Sequence, residues 1–381
     1  MKLMIYSDAE QLGGAETTLG HMLAQLDPSY EVAVVGVYEP AVEWLAGCRP
    51  GSRWRLIQPL TNRHDWRGFR QHRQLFATER PDIVQFNLGL ASSCQWPMAV
   101  AATIPNLRMI AVENSPMAPW SAASRLLKPV TSARLSAHVA VGEKTARAIE
   151  ADSLLPPYSV GTMYHGVENI EVRTVPRLHE GHEIGTIARL DPVKGVDVVI
   201  QAMSEVPEPT RLVVIGRGAE RDRLIALTSE LGLRDRIEFR DVPWTDNVRN
   251  HLASFDLFVL GSRIEGFPVT IMEAMVCGVP VVATDVGSVD EAVSNGVTGR
   301  IVPPEDPSAL ASAINELLHD DDARLAMSNA AADDGARRFT AAATARRYED
   351  VYQRVMATRC PPITNSLAGL VRANVQRWKS R

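Results

Sequence analysis

Hydrophobic positions recur along the chain in the order strand, loop and helix. Residues 2–7 (KLMIYS) form a short apolar run, and residues 16–26 place Leu19, Met22 and Leu23 on one helical face. Further apolar runs rich in β-branched residues follow in the first half, at 31–38, 82–88, 108–114 and 136–142. Continuous runs of this kind are typical of strands covered on both faces, so we predict a mainly parallel sheet with helices on each side.

A second series of apolar runs begins after a stretch rich in turn residues, from 155 to 183. Its members lie at 183–190, 210–216, 236–241, 255–262, 279–285 and 299–304. Helical segments separate these runs, so the second half is also predicted to be a doubly wound α/β domain. We therefore predict two Rossmann-like domains, 1–168 and 169–339, facing one another across a cleft at the carboxyl ends of their strands.

Composition narrows the functional classes only slightly. The chain has 381 residues, 22% of them charged, a net charge of -5 and a pI near 6.0, so nucleic acid is not an expected partner. The four cysteines are widely separated and form no C-x-x-C pair, which fits a reducing cytoplasm. The first apolar run is too short for a signal-peptide core or a membrane span, and we interpret it as the first strand.

The most informative segment begins at Ser262 and has the sequence SRIEGFPVTIMEAMVCGVPVVATDVG. A buried strand is predicted to end just before it, Pro268 suits a first helical turn, and Gly278 stops the helix. We expect Glu265 in the loop and Glu273 about two turns into the helix. Backbone N–H groups at a helix start suit a phosphate, and a carboxylate can accept hydrogen bonds from two neighbouring hydroxyls.

This E-x7-E segment resembles the donor-site signature of the family 4 retaining glycosyltransferases of the GT-B fold, the glycosyl transferases group 1. The resemblance implies that Glu273 holds the ribose of a nucleotide donor and that Glu265 contacts the transferred sugar. It also implies that the helix start helps to hold sugar and phosphate, through Gly266, Phe267, Pro268 and Val269.

Three other segments resemble parts of the same family. In IARLDPVKG (187–195), Arg189 and Lys194 would clamp the diphosphate and stabilise the negative charge that develops on it. Gly216, after the apolar run 210–216, would line the donor site or would only turn a strand into a helix. In LGGAE (12–16), Gly13 and Gly14 would approach the donor phosphates from the first domain.

The first domain departs from the family at one position. Members often carry a histidine at the end of the strand that corresponds to 108–114, where this chain has Glu113 and Asn114. Either residue could contact the sugar or acceptor, and a structural role is equally open. We interpret His138 as a core residue. No metal site is predicted, because the acidic run 320–322 fits a helix N-cap better than a metal-binding motif.

The function implied by the resemblance is metal-independent transfer, with retention of configuration, of a sugar from a nucleotide diphosphate sugar to a hydroxyl, with no cofactor. UDP-sugars are the first choice of donor. The first candidate for the acceptor is a cell-surface glycan or lipid-linked acceptor, and the second is a small molecule. The alternative function is that of a non-catalytic nucleotide-sugar-binding protein. A nicotinamide oxidoreductase is disfavoured because Arg221 occupies the third position of the glycine fingerprint.

The C-terminal segment carries two further expectations. The resemblance implies a helix, from about 340 to 381, that crosses back onto the first domain. Residues 366–381 could form a basic amphipathic helix suited to an anionic membrane surface, or could pack on the first domain. We expect a cytoplasmic protein with, at most, peripheral contact to the membrane.

Overall fold

The computed structural model describes residues 1–117, 122–168, 181–242 and 248–362. The chain divides into two compact units: residues 1–166 together with the segment from Ala341 onward, and residues 167–340. The predicted boundary after residue 168 lies two residues from this division.

The first unit is built on a seven-stranded parallel sheet of order β3-β2-β1-β4-β5-β6-β7. Its strands are β1 (Lys2–Ser7), β2 (Glu31–Gly36), β3 (Arg53–Leu56), β4 (Ile83–Leu88), β5 (Arg108–Glu113), β6 (Ala137–Ala140) and β7 (Gly161–Thr162). Its connecting helices are α1 (Gly14–Gln25), α2 (Glu39–Gly47), α3 (Trp66–Glu79), α4 (Gln95–Ala102), α5 (Ala122–Ser132) and α6 (Glu143–Asp152).

Alternation along β1 explains why this sheet is covered on both faces. Leu3 and Ile5 belong to one buried cluster with residues of α1 and α2, whereas Met4 and Tyr6 belong to the opposite cluster with residues of α3 and α4. Successive side chains of a strand point to opposite faces, so a strand that is apolar at every position needs helices on both sides.

The second unit has a six-stranded parallel sheet of order β10-β9-β8-β11-β12-β13. Its strands are β8 (His182–Ile187), β9 (Thr210–Ile215), β10 (Ile237–Arg240), β11 (Leu257–Leu260), β12 (Val281–Thr284) and β13 (Gly299–Val302). Its helices are α7 (Val196–Ala202), α8 (Arg221–Glu230), α9 (Arg249–Leu252), α10 (Val269–Val276), α11 (Val289–Ala292), α12 (Pro307–His319) and α13 (Asp321–Arg338). A 3-10 turn, Pro192–Lys194, precedes α7.

All strands are parallel, and the order in which successive strands are added reverses at one point in each sheet, between β1 and β4 in the first unit and between β8 and β11 in the second. In open α/β sheets, ligands bind beyond the carboxyl ends of the strands at such a point. The loops after β8 and β11 are therefore the expected ligand-binding region of the second unit.

The last described helix, α14 (Ala341–Ala357), belongs to the first unit. Tyr348, Val351 and Tyr352 are buried in the cluster that contains α1, and the Tyr352 hydroxyl donates to Gln85 Oε1 (2.6 Å). The helix that was expected from about 340 to 381 is shorter than that, because α14 ends at Ala357 and residues 358–362 are not helical. Residues 366–381 lie outside the described residues, and the helices of the described part include none long and apolar enough to cross a bilayer.

Candidate active site

The loops after β8 and β11 are fastened together by Arg263. Its backbone N–H donates to Val193 O (2.8 Å), and its guanidinium donates to both carboxylate oxygens of Asp197 (2.9 and 3.0 Å) and to Pro192 O (2.6 Å). Burial alone would raise the pKa of Asp197, but this two-pronged ion pair lowers it below its ordinary value. Arg263 therefore fixes the 3-10 turn that carries Lys194.

Lys194 and Glu265 meet at this junction. Lys194 Nζ lies 2.6 Å from Glu265 Oε1, and the Ser262 hydroxyl donates to the same oxygen (2.7 Å). Glu265 is 7% exposed, so it is not a solvated loop residue. A lysine ammonium has three N–H donors, which leaves donors of Lys194 beyond the one directed at Glu265. No role was predicted for Ser262 from the sequence. Its only signal there is a hydroxyl side chain three positions before Glu265.

Glu273 lies in a different environment. It is 6% exposed, and its carboxylate accepts no hydrogen bond from any described residue. Burial raises its pKa to about 7, and the nearby Arg249 guanidinium offsets only part of that effect. A nearly buried carboxylate of this kind is unfavourable unless donors reach it from a ligand. Arg249 is another residue that sequence reasoning missed.

The helix that carries Glu273 begins later than predicted. Pro268 is the N-cap, with φ -70° and ψ 120°, and α10 starts at Val269. Glu273 is therefore about one turn into the helix, and the expectation of two turns was wrong. The predicted stop is confirmed, since Gly278 follows Cys277 with φ +69°.

Two glycines allow the loops to approach closely. Gly195 and Gly287 have φ values of +57° and +55°, in the left-handed region. A Cβ at Gly195 would lie 1.9 Å from Gly261 O, and one at Gly287 would lie 2.0 Å from Glu265 O. Only glycine fits either position, so the backbone around Glu265 depends on both.

The other predicted residues of this unit have varied surroundings. Arg189 is largely exposed and its guanidinium contacts Asp191 (3.0 Å), so it and Lys194 form separate ion pairs. Gly216 packs against Ala188 in the loop after β8. Phe267 is 7% exposed and its ring packs edge-on against Phe339 (5.6 Å between centroids), which anchors the segment before α10. Gly266 O accepts from the Ser288 N–H (3.0 Å).

In the first unit, the glycine-rich segment 12–16 forms the start of α1. Gly13 is the N-cap and Gly14 the first helical residue. Glu16 is 4% exposed and accepts long hydrogen bonds from Ser7 Oγ and Asn87 Nδ2, both 3.4 Å. Contact of this segment with donor phosphates stays a prediction.

The surroundings of Glu113 favour the structural role over contact with a sugar or acceptor. The side chain is fully buried, and Oε1 contacts both Lys128 Nζ and His138 Nε2 (2.7 Å). Burial would raise the pKa of Glu113, but the contacts with Lys128 and His138 together outweigh it and lower the pKa. His138 is the core residue predicted. Asn114 is half-buried and donates to Asn87 Oδ1 (3.0 Å), so of the two it is the one that a ligand can reach.

The acidic run 320–322 caps a helix, as predicted. Asp320 accepts from the Ala323 N–H (2.9 Å) at the start of α13. Within the described ranges, His, Cys, Asp and Glu side chains form no group of three or more that could hold a metal ion.

Comparison with known proteins relates this geometry to a family. Residues 171–334 match the family described as glycosyl transferases group 1. The D-inositol 3-phosphate glycosyltransferase of Thermobispora bispora is 33% identical over 218 residues, which are 52% of this chain and 51% of the relative. The N-acetyl-alpha-D-glucosaminyl L-malate synthase of Bacillus anthracis is 31% identical over 172 residues, 45% of each chain. The chain thus spans about half the length of these curated relatives.

Solved structures extend the similarity to both units. HepE of Anabaena, in a crystal structure with UDP-glucose, has a TM-score of 0.79 at 21% identity, covering 93% of this chain and 99% of that one. Sucrose-phosphate synthase from Thermosynechococcus elongatus has a TM-score of 0.76 at 19% identity, with the same coverage. The chain therefore has the GT-B fold, and residues 171–334 match the family described as glycosyl transferases group 1.

Proposed function

We propose that the protein transfers a sugar from a nucleoside diphosphate sugar to a hydroxyl acceptor, using the second unit as its donor site. The observation that carries this proposal is Glu273, a nearly buried carboxylate to which no described residue donates a hydrogen bond. The two neighbouring hydroxyls of a ribose supply the donors that such a group lacks.

The diphosphate is assigned to Lys194 and the start of α10. The ammonium offers positive charge beside Glu265, and the first N–H groups of a helix favour an anion. Because the diphosphate gains charge as it leaves, a cation held in place by Arg263 lowers the barrier more than it strengthens ground-state binding. Arg189 is the second proposed contact, from a more exposed position.

Glu265 would orient the transferred sugar. Its position is fixed by Lys194 and Ser262, and a carboxylate already engaged in two contacts suits hydrogen bonding to sugar hydroxyls better than nucleophilic attack. In the retaining mechanism that we propose, the acceptor oxygen bonds to the anomeric carbon on the face from which the diphosphate leaves. The acceptor proton then passes to a phosphate oxygen of the departing group, and no divalent metal is required.

The donor and acceptor are proposed from different observations. UDP-sugars are the first candidates for the donor, supported by the UDP-glucose complex of HepE. A small polyhydroxylated or hydroxy-acid acceptor is supported by the names of the curated relatives, which refer to inositol 3-phosphate and malate. A glycan or lipid-linked acceptor is the second candidate, supported by solved neighbours such as the lipopolysaccharide galactosyltransferase WaaB, with a TM-score of 0.71.

The test is donor binding and metal-free donor hydrolysis against UDP-, GDP- and ADP-sugars. Glu273→Ala should weaken binding of the nucleotide itself, and Lys194→Gln should act mainly on turnover. Glu230→Gln, an exposed carboxylate at the end of α8, is the matched control and should change neither. Binding without turnover with any acceptor offered would favour a non-catalytic nucleotide-sugar-binding protein, and no binding to any donor would refute the proposal.

Two further measurements address the finer points. Turnover that EDTA abolishes and added Mg²⁺ restores would refute metal independence. The anomeric configuration of the product, read from its NMR coupling constant at early times, would refute retention if it were opposite to that of the donor.

A further inference from the structure

A basic and aromatic surface covers the outer side of α3 and the edge strand β3. We call it the α3 face. Its members are exposed side chains, namely Trp54, Leu56, Arg63, Trp66, Arg67 and Arg70. A shallow groove of about 370 Å³ joins the two elements, with Arg55 and Leu56 on one side and Gln71 and Gln74 on the other. Gln71 and Gln74 lie about one turn beyond Arg67 and Arg70 on α3, so the groove connects β3 with the part of the helix that carries these arginines.

The positive charge of this face is largely uncompensated. Residues 53–73 contain six arginines and one acidic residue, in a chain whose net charge is -5. That acidic residue, Asp65, is engaged as the N-cap of α3, where it accepts from the Gly68 N–H (2.8 Å). No carboxylate of the described residues pairs with Arg67 or Arg70, whereas Arg53 and Arg55 lie 3.6 and 3.8 Å from Glu79. The arginines at the start of α3 thus present charge outward.

The same surface exposes aromatic rings at a fixed position. Trp66 is 77% exposed, and its ring packs on Phe69 (6.2 Å between centroids), which in turn packs edge-on against Trp96 (6.1 Å). On β3, Trp54 and Leu56 are 44% and 40% exposed. Exposed tryptophan beside arginine is the composition that favours the boundary between lipid head groups and acyl chains.

We propose that the α3 face docks on an anionic lipid bilayer. Its arginines would contact phosphate head groups, and Trp66, with Trp54 and Leu56, would enter the boundary region. Charge alone would suit any polyanion, but the large exposed apolar side chains gain by leaving water only at a surface with an apolar interior. The interaction is independent of residues 366–381 and does not require the proposed transfer activity.

The experiment is cosedimentation of the full chain with vesicles of phosphatidylcholine alone and of phosphatidylcholine mixed with phosphatidylglycerol. Wild type should bind only the anionic vesicles. Arg67→Gln combined with Arg70→Gln should reduce the partition coefficient about 25-fold, since each arginine near an anionic surface contributes about a factor of five. Arg211→Gln combined with Arg234→Gln removes the same charge from exposed positions of the second unit and should leave binding unchanged.

Tryptophan fluorescence gives a second readout. Anionic vesicles should shift the emission of wild type to the blue, and Trp66→Phe should remove most of that shift while leaving the unfolding temperature unchanged. Three outcomes would overturn the proposal: no binding of wild type to anionic vesicles, binding lost only on deletion of 366–381, or equal loss in the Arg211/Arg234 control. If heparin or DNA competes fully with the vesicles and no blue shift is seen, the partner of the α3 face is a soluble polyanion and not a bilayer.

Discussion

Replacement of Glu273 by glutamine should stabilise the second unit at neutral and alkaline pH while weakening donor binding. The side chain is 6% exposed, and burial raises its pKa from 4.5 to about 7. A folded-state pKa above the unfolded value means that the folded protein keeps a proton which the unfolded chain has released. The free energy of unfolding therefore falls as pH rises from about 4.5 to 7 and stays low above that range.

The size of the effect follows from the two pKa values. Each pH unit between them corresponds to about 1.4 kcal/mol, so ionised Glu273 destabilises the native state by roughly 3 kcal/mol above pH 7. Glutamine keeps the shape without the charge and should recover most of this free energy at pH 8. In a unit of this size the gain corresponds to an increase of several degrees in the unfolding temperature, at about 2–4 °C per kcal/mol.

The assay is thermal and urea unfolding of wild type, Glu273→Gln and the control Glu230→Gln between pH 5 and pH 8. The difference between Glu273→Gln and wild type should be small at pH 5 and should grow towards pH 8, whereas the exposed control should follow wild type throughout. A glutamine variant less stable than wild type at pH 8 would refute the reasoning, because the carboxylate would then have stabilising partners within the protein.

Four other changes should have measurable results. Donor affinity, measured by calorimetry, should fall up to about tenfold per pH unit below pH 7 because protonated Glu273 is a poorer acceptor, and a flat profile would contradict this. Arg263→Lys loses the two-pronged contact with its aspartate, so kcat/KM should drop between about tenfold and a hundredfold; an unchanged value would show that the turn does not need it. Gly287→Ala should lower the free energy of unfolding by at least about 2 kcal/mol and remove most of the activity. Its control, Gly232→Ala, is also at positive φ (+71°) but in open space, and it should lower the free energy of unfolding by about 1 kcal/mol and leave activity intact. Equal effects of the two changes would exclude the steric explanation. Glu113→Gln leaves a buried lysine without its counter-charge, so the free energy of unfolding measured in urea should fall by about 3–5 kcal/mol. A decrease below about 1 kcal/mol would contradict the structural role of the ion pair.

Most of the fold could be predicted because the strands are apolar at nearly every position. The predicted and observed strands of both sheets agree to within one or two residues at most ends, as for the run 210–216 and β9. β3 was not predicted, since all four of its residues are exposed and arginines alternate with apolar side chains. β7 was missed because it has only two residues. An alternation that covers only four residues is too short to predict a strand.

The candidate site was predictable only in part, because local patterns do not contain distant neighbours. The family resemblance assigned Lys194 and Glu265 to one donor site, but their direct contact was not predicted. The environment of Glu113 was not predicted either, since Lys128 and His138 lie 15 and 25 residues away along the chain. The role of Arg263 was not recognisable within the motif, where its position two residues before Glu265 gave no sign of its contact with Asp197.

Two buried glutamates show how surroundings distinguish a structural residue from a candidate ligand-binding residue. Glu113 lies at the end of β5, where a lysine and a histidine contact one of its oxygens and lower its pKa. Glu273 is buried almost as deeply, yet its pKa is raised to about 7 and the described residues supply it with no hydrogen-bond donor. A buried carboxylate without hydrogen-bond donors, such as Glu273, lowers the stability of the folded protein. Such a loss of stability is typical of residues that are retained for binding. The same contrast explains why the second unit offers sharper functional hypotheses than the first unit, whose buried carboxylate at the end of β5 is already neutralised within the fold.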